Sequence, residues 1–400
     1  METTTYKISD IGEVVGGGTP STANSDFWGG DIPWISPKDL TGYKSVYISH
    51  GESFLTKTGL KSGTKLLPKG TVLFSSRAPI GYVAIASNPI CTNQGFKSII
   101  CNKEIINPLF LYYYIKGNLD YIKLFGTGAT FPEISGAAMR KIKVQIPTLP
   151  TQQKIAAILS TYDRLIENNT RRIRLLEQMA ENLYKEWFVR FRFPEHEKVE
   201  MVNGLPKGWE RTVASSIIDV MSGGTPKTDH PEFYGGNIPF YTPKDANDSI
   251  FVYNTLTNIT EEGLTHCNSQ LYPRNTLIIT ARGTVGKLNL LAVPMAMNQS
   301  CFALQFKQKE NPFFLYYAIR TEIAKLKKIA NGGVFDTIVV KSFDHIKLII
   351  PTRSLMDNFN LKVYSILEQV RNLSYQNQLL TRQRDLLLPR LMSGKLEVKS

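Results

Sequence analysis

The spacing of apolar residues changes character twice along this chain, and in the same order each time. Residues 1–147 and 209–351 hold short β-rich runs between Gly/Pro turns: VLFSS (72–76), YVAIA (82–86) and KVQIP (143–147), then LIITA (277–281) and HIKLIIP (345–351). Runs of this length, rich in branched and aromatic residues, predict strands. Each stretch also holds one apolar helix opened by Asn-Pro, at Asn107–Pro108 and Asn311–Pro312. Asn supplies the N-cap and Pro fits the first helical position. Residues 151–193 and 352–388 contain neither Gly nor Pro and show a different period. Stepping alternately three and four from Leu159 meets Tyr162, Ile166, Asn169, Ile173 and Leu176; from Phe359 it meets Val363, Ile366, Val370, Leu373 and Asn377. This is a heptad seam. Thr151 is the predicted cap of the first long helix, Ser354 with Asp357 a capping-box-like start to the second, and Gly394 its stop.

The two halves are copies. GGTPSTANSDFWGGDIPWISPKD (17–39) matches GGTPKTDHPEFYGGNIPFYTPKD (223–245), pairing Gly17 with Gly223 at an offset of 206 (223 − 17). VLFSSRAPIG then falls on LIITARGTVG, with Arg77 on Arg282, and NPLFLYYYI on NPFFLYYAI at an offset of 204 (311 − 107). The pattern predicts an α+β fold: two mixed α/β domains related by tandem repeat, joined by two long helices that form an antiparallel coiled coil. The expected segments are a first domain (1–147), a central helix (148–193), a linker (194–208), a second domain (209–351), a C-terminal helix (352–393) and a tail (394–400). Each seam carries one Asn, and seam Asn residues often set register by pairing. Asn169 facing Asn377 would align the helix ends in an antiparallel pair. Solvation of a seam edge by each Asn is the alternative.

Composition narrows the function. With 42% hydrophobic and 20% charged residues the chain suits a folded protein. No apolar run is long enough to span a membrane, and the first ten residues lack a signal-peptide pattern, so a cytoplasmic location is expected. The four cysteines form no C-x-x-C pair, and with five dispersed His no metal-site spacing exists; His266–Cys267 is the nearest approach. The net charge of +13 suits a polyanionic partner, although a basic protein can also sit in an acidic complex.

Strings that imitate catalytic motifs are defective. Asn107-Pro-Leu-Phe110 and Asn311-Pro-Phe-Phe314 lack the second Pro of an adenine methyltransferase loop, and helix capping explains them. Phe125-Gly-Thr-Gly128 hints at a cofactor loop, but its counterpart Ile329-Ala-Asn-Gly332 loses the first glycine. Residues 281–288, ARGTVGKL, miss the first Gly and the final Ser/Thr of a phosphate loop. No catalytic residue and no metal site are expected. The recurring Lys38, Arg77 and Gln94, with Lys244, Arg282 and Gln299, sit at turn-rich positions and suit phosphates or base edges. Pairing of Arg77 and Arg282 with Asp39 and Asp245 is the competing reading. Tyr112–Tyr114 and Tyr316–Tyr317 read as core before base-stacking platforms. If the copies read different sequences, base-specific residues belong where they diverge, in Thr41–Leu66 against Asn247–Leu271.

The repeated GGTP…PKD blocks resemble the specificity (S) subunits of type I restriction-modification enzymes. So do VLFSSRAPIGYVAIA, the string PTLPTQQKI (147–155), LYKEWFVRFRF (183–193) and LLLPRLMSGKLEV (386–398). The resemblance covers essentially the whole chain. It implies two target-recognition domains on double-stranded DNA, each reading one half of a split site, and helices that act as a ruler. It further implies two docked methyltransferase (M) subunits and nuclease/translocase (R) subunits joined through them. S-adenosylmethionine, ATP and magnesium would belong to those partners, with no cofactor in this chain. At about 1–3 kcal/mol per mismatched base pair, each half-site discriminates modestly alone and strongly together. A self-contained methyltransferase or nuclease, and a coiled-coil scaffold that binds only protein, are the competing classes.

Overall fold

A computed structural model describes residues 2–128, 130, 132–329 and 337–398. The chain divides into two compact units that do not follow chain order: residues 1–168 with 377–400, and residues 169–376.

In the first unit a five-stranded sheet has the order β1 (Gly12–Gly16), β5 (Lys97–Cys101), β3 (Val72–Ser76), β4 (Ile80–Ala86) and Tyr47–Ile48. A second sheet sets β2 (Trp28–Ile35) between Ser53–Leu55 and Cys91–Thr92. The other unit repeats both in the same order. Its large sheet runs β6 (Ile218–Ser222), β10 (Cys301–Phe306), β8 (Leu277–Thr280), β9 (Leu288–Leu291), then Phe251–Val252. Its small sheet centres on β7 (Tyr234–Tyr241). Even the irregularities recur. Register slips between Trp28 and Ile32 in β2, and between Tyr234 and Ile238 in β7. The repeated Gly-Gly pair builds this bulge. Gly29 and Gly235 stand at φ of 81° and 77°, and a Cβ on Gly30 or Gly236 would lie 2.4 or 2.5 Å from a neighbouring carbonyl oxygen.

The four longest helices are α1 (Pro108–Gly117), α2 (Leu149–Tyr184), α3 (Pro312–Ile329) and α4 (Arg353–Met392). The tyrosine runs are core. Tyr112, Tyr113 and Tyr114 are buried with Phe110 and Leu111, packed on Ile155 and Leu159 of α2 and Leu391 of α4. In the second unit Tyr316 and Tyr317 are buried beside Tyr184 of α2 and Phe359 and Val363 of α4. Each large apolar side chain so covered contributes about 1.5–3 kcal/mol relative to exposure. The helix pairing is antiparallel within each unit: Asp163 meets Arg384 in the first, and Trp187 packs on Phe359 in the second.

Several local expectations change. Asn107 caps α1 as predicted, its side chain accepting from Leu109 N and Phe110 N at 2.9 and 3.1 Å. Asn311 does not cap α3. It stands at a φ of 53° and its side-chain amide donates to Asp357 of α4, while Asn360 accepts from Phe313 N at 3.2 Å. Asp357 is therefore committed elsewhere and makes no capping box with Ser354. Both long helices also begin earlier than the expected caps, at Leu149 and Arg353, with Thr148 and Thr352 in the entry positions. Pro150 suits a first turn and favours that early start. Gly394, at a φ of 71°, ends α4. The 194–208 stretch, read as a linker, carries a hairpin, Met201–Val202 with Leu205–Pro206, around Asn203–Gly204.

Candidate nucleic-acid interface

The P-K-D strings make a rigid turn. In Ser36–Asp39 the Asp39 carboxylate accepts from Ser36 N and Oγ at 2.7 and 2.8 Å, and from Glu52 N at 2.8 Å. Thr242–Asp245 repeats the arrangement, with Asp245 accepting from Thr242 N, Thr242 Oγ1 and Leu256 N. Both carboxylates thus tie a turn to the segment that follows it, and neither pairs with an arginine among the described residues. Lys38 and Lys244 stand exposed on top of these turns. Lys38 pairs with Glu52 at 2.9 Å; Leu256 holds the equivalent place in the second copy, and Lys244 has no ion pair among the described residues.

The glutamines sit beside the turns. Asn93 N donates to Ile35 O and Gly18 N to Thr92 O, stitching the Asn-Gln turn to the first Gly-Gly-Thr block. A Cβ on Gly17 would come within 2.0 Å of Asn93 O, so only glycine permits this approach. Thr19 then donates to Gln94 Oε1, and Thr225 to Gln299 Oε1. Both glutamines are exposed, and each side-chain amide keeps its NH2 group as a donor. Gly223 and Asn298 repeat the close approach at 2.5 Å.

Arg77 joins the same surface. A Cβ on Gly95 would be 3.3 Å from Pro37 Cγ and 3.6 Å from Arg77 Cγ. Its partner is Glu133, at 3.3 Å, and not Asp39. Glu133 also holds Lys97 at 3.1 Å, and Lys97 donates to Gln94 O at 3.3 Å. In the second copy Gly283, next to Arg282, lies against the equivalent proline, a Cβ there falling 3.6 Å from Pro243. Arg282 is exposed there, while Phe302 and Thr337 replace Lys97 and Glu133. Ser76 N donates to Gly95 O and Asn93 N to Ile35 O in one unit, Ala281 N to Ser300 O and Asn298 N to Tyr241 O in the other, so Lys38, Arg77 and Gln94 stand on adjoining turns, as do Lys244, Arg282 and Gln299. Sequence reading missed Thr19 and Thr225, although both lie in the duplicated block. It also missed Glu52, Lys97 and Glu133, which carry no repeat signal.

The strings resembling catalytic loops have other uses. Residues 281–288 form a tight connection between antiparallel strands β8 and β9, with Gly286 N donating to Thr280 O. A phosphate loop instead leads from a strand into a helix. Phe125–Gly128 ends in a bridge between Thr127 and Glu133, and 330–332 of its counterpart lie outside the described residues. Among the described residues no group of three or more His, Cys, Asp or Glu is placed to hold a metal, and no helix is long and apolar enough to cross a membrane. Asn169 is buried, and Asn377 donates to Ile166 O at 3.4 Å.

The profile of a family described as the type I restriction modification DNA specificity domain matches residues 1–178 and again 206–381. The type I restriction enzyme MjaIX specificity subunit of Methanocaldococcus jannaschii is 35% identical over 404 residues, covering 98% of this chain and 93% of that protein. The HindI specificity subunit of Haemophilus influenzae is 27% identical, covering 83% and 88%. A crystal structure of a type I restriction-modification S subunit from M. genitalium shares the fold, with a TM-score of 0.64 at 16% identity and coverage of 98% and 96%.

Proposed function

Because the chain belongs to the type I restriction modification DNA specificity family, we propose that it reads a two-part target on double-stranded DNA, one part with each unit, and performs no chemistry itself. The observation that carries this reading is the doubled interface. Adjoining turns present a Lys, an Arg and a Gln in each unit, and these side chains suit phosphate oxygens and base edges. Two such surfaces on one chain match two half-sites.

Catalysis would belong to partners: two methyltransferase subunits, with nuclease/translocase subunits recruited through them. S-adenosylmethionine, ATP and magnesium would be bound by those subunits. Exposed apolar residues on the long helices support docking there. Leu165, Leu379 and Leu386 in the first unit are 45%, 41% and 55% exposed, and Met179, Leu361 and Tyr375 in the second 56%, 72% and 54%. Apolar faces of this kind mark protein contacts. The two helices, about 1.5 Å per residue, would set the unread spacer between the half-sites.

Genome-wide mapping of methylated bases, in cells with and without the gene, tests the proposal. The expected result is loss of one split motif with a constant unspecified spacer. A continuous motif, or an unchanged methylome, would overturn it.

A further inference from the structure

Beside Lys244 the second unit holds a leucine out in solvent. Leu256 is 78% exposed, although a leucine side chain gains by leaving water. Its backbone cannot draw it in. Leu256 N donates to Asp245 Oδ1 at 2.7 Å, which fixes it to the P-K-D turn. The residues on either side are fixed to β7, since Phe240 N donates to Thr255 Oγ1 and to Thr257 O, both at 3.0 Å. Thr255 Oγ1 in turn donates to Thr257 O at 2.8 Å. Leu256 is therefore the tip of a loop pinned on both flanks. Glu52 holds this place in the first unit and reaches Lys38 at 2.9 Å, so side chains at the two positions lie within reach of each other. Lys244 and Leu256 stand in the same relation, with Lys244 exposed and without an ion pair among the described residues. A leucine exposed on an open surface is ordinary. One held rigidly among an unpaired lysine and the adjoining Arg282 and Gln299 is placed for a ligand that is both anionic and locally apolar.

We infer that Leu256 is a base-reading residue for thymine, packing on the C5-methyl group in the major groove while Lys244 takes a nearby phosphate. This rests on the DNA-reading function proposed above. Among the base edges of the major groove only thymine presents a methyl group; the others offer hydrogen-bond donors and acceptors alone. A leucine pressed on those edges would strip water from polar groups and return no hydrogen bond, which is unfavourable. The same side chain thus favours thymine and disfavours the alternatives. Glu52 gives the first unit a carboxylate at this place, and a carboxylate gains nothing from a methyl group, so the contact belongs to one half-site. Leu256 also falls within 247–271, where the two copies diverge and base-specific residues are expected.

The test uses the full chain assembled with its methyltransferase subunits, and duplexes carrying the split motif found by methylation mapping. Deoxyuridine replaces each thymine of both half-sites in turn. Uracil pairs as thymine does and lacks only the methyl group. At one position of one half-site, the natural complex should bind the uracil duplex about fourfold more weakly, the worth of one buried methyl group. Leu256→Ala should bind the thymine and uracil duplexes alike at that position, and should leave the other half-site as it was. Leu256→Met keeps an apolar side chain and should retain the difference. The inference fails if the motif holds no thymine that responds, or if Leu256→Ala responds to uracil as the natural complex does. It fails equally if Leu256→Ala releases the methyltransferase subunits, which would make Leu256 a protein contact. A complex that prefers the split motif no more than a scrambled duplex would overturn the DNA-reading function itself.

Discussion

Arg77 and Arg282 occupy one position in two copies of a motif, yet their electrostatic surroundings differ. Glu133 binds Arg77 and Lys97 together, whereas Thr337 and Phe302 stand in those places beside Arg282. An arginine already facing a carboxylate adds less to the attraction of phosphate than one facing water. In the assembled complex, Arg282→Ala should flatten the slope of log affinity against log salt by about 0.9, the loss of one phosphate contact. Glu133→Gln should steepen it, because Arg77 and Lys97 are released from neutralisation. Titrations of a fixed duplex across salt concentration measure both; slopes unchanged in both variants would remove these residues from the interface. The recurring Lys, Arg and Gln were legible in the sequence because duplication marks them. Glu133 was not, since it lies 56 residues from Arg77 and has no repeated counterpart.

Elements obey local rules until a neighbouring element offers a better partner. Asn107 and Asn311 begin identical Asn-Pro starts, but only Asn107 caps its own helix. Asp357 and Asn360 of α4 take over at the second site, because tertiary packing brings two polar groups to that helix end. The turn carboxylates show the same economy on a smaller scale. Asp39→Ala or Asp245→Ala strips three hydrogen bonds from a turn and should destabilise its unit by about 1–3 kcal/mol, measured by denaturant unfolding. Glu177 on α2 makes a pH-dependent case. Burial raises its carboxyl above the usual range, outweighing the amide of Ile250 that opposes the shift. A carboxyl raised on folding costs stability at neutral pH, and that cost fades as pH falls through the raised value and is gone below the unfolded one. Glu177→Gln should therefore raise the melting temperature at pH 7, and the gain should shrink toward pH 4. An equal gain at both pH values would contradict the burial argument.

At the scale of the whole molecule, duplication separates what each unit must share from what it can vary. The bulged strands β2 and β7, the Gly-Gly pairs and the P-K-D turns recur as scaffold. The segments between them diverge, and they carry the exposed Tyr43 and Tyr47 in one copy and Leu256 in the other. Exchanging residues 41–66 with 247–271 should transfer the preference of one half-site to the other. Selection from a randomised duplex library with the assembled complex reads this out, and an unchanged motif would return base reading to the shared turns.

A linear reading was enough for the tandem repeat, the strands within it, the heptad helices and the polar trio that each copy carries on its turns. Each of these is written in local spacing or in self-similarity, which a linear reading can detect. Packing in three dimensions selects which carboxylates meet which cations and which helix end borrows its cap, and it buries Asp163 with Arg384 in one unit while Leu367 and Ala180 are buried in the other. Those outcomes depend on contacts between residues tens to hundreds of positions apart, where the geometry of packing selects one partner among several chemically equivalent candidates.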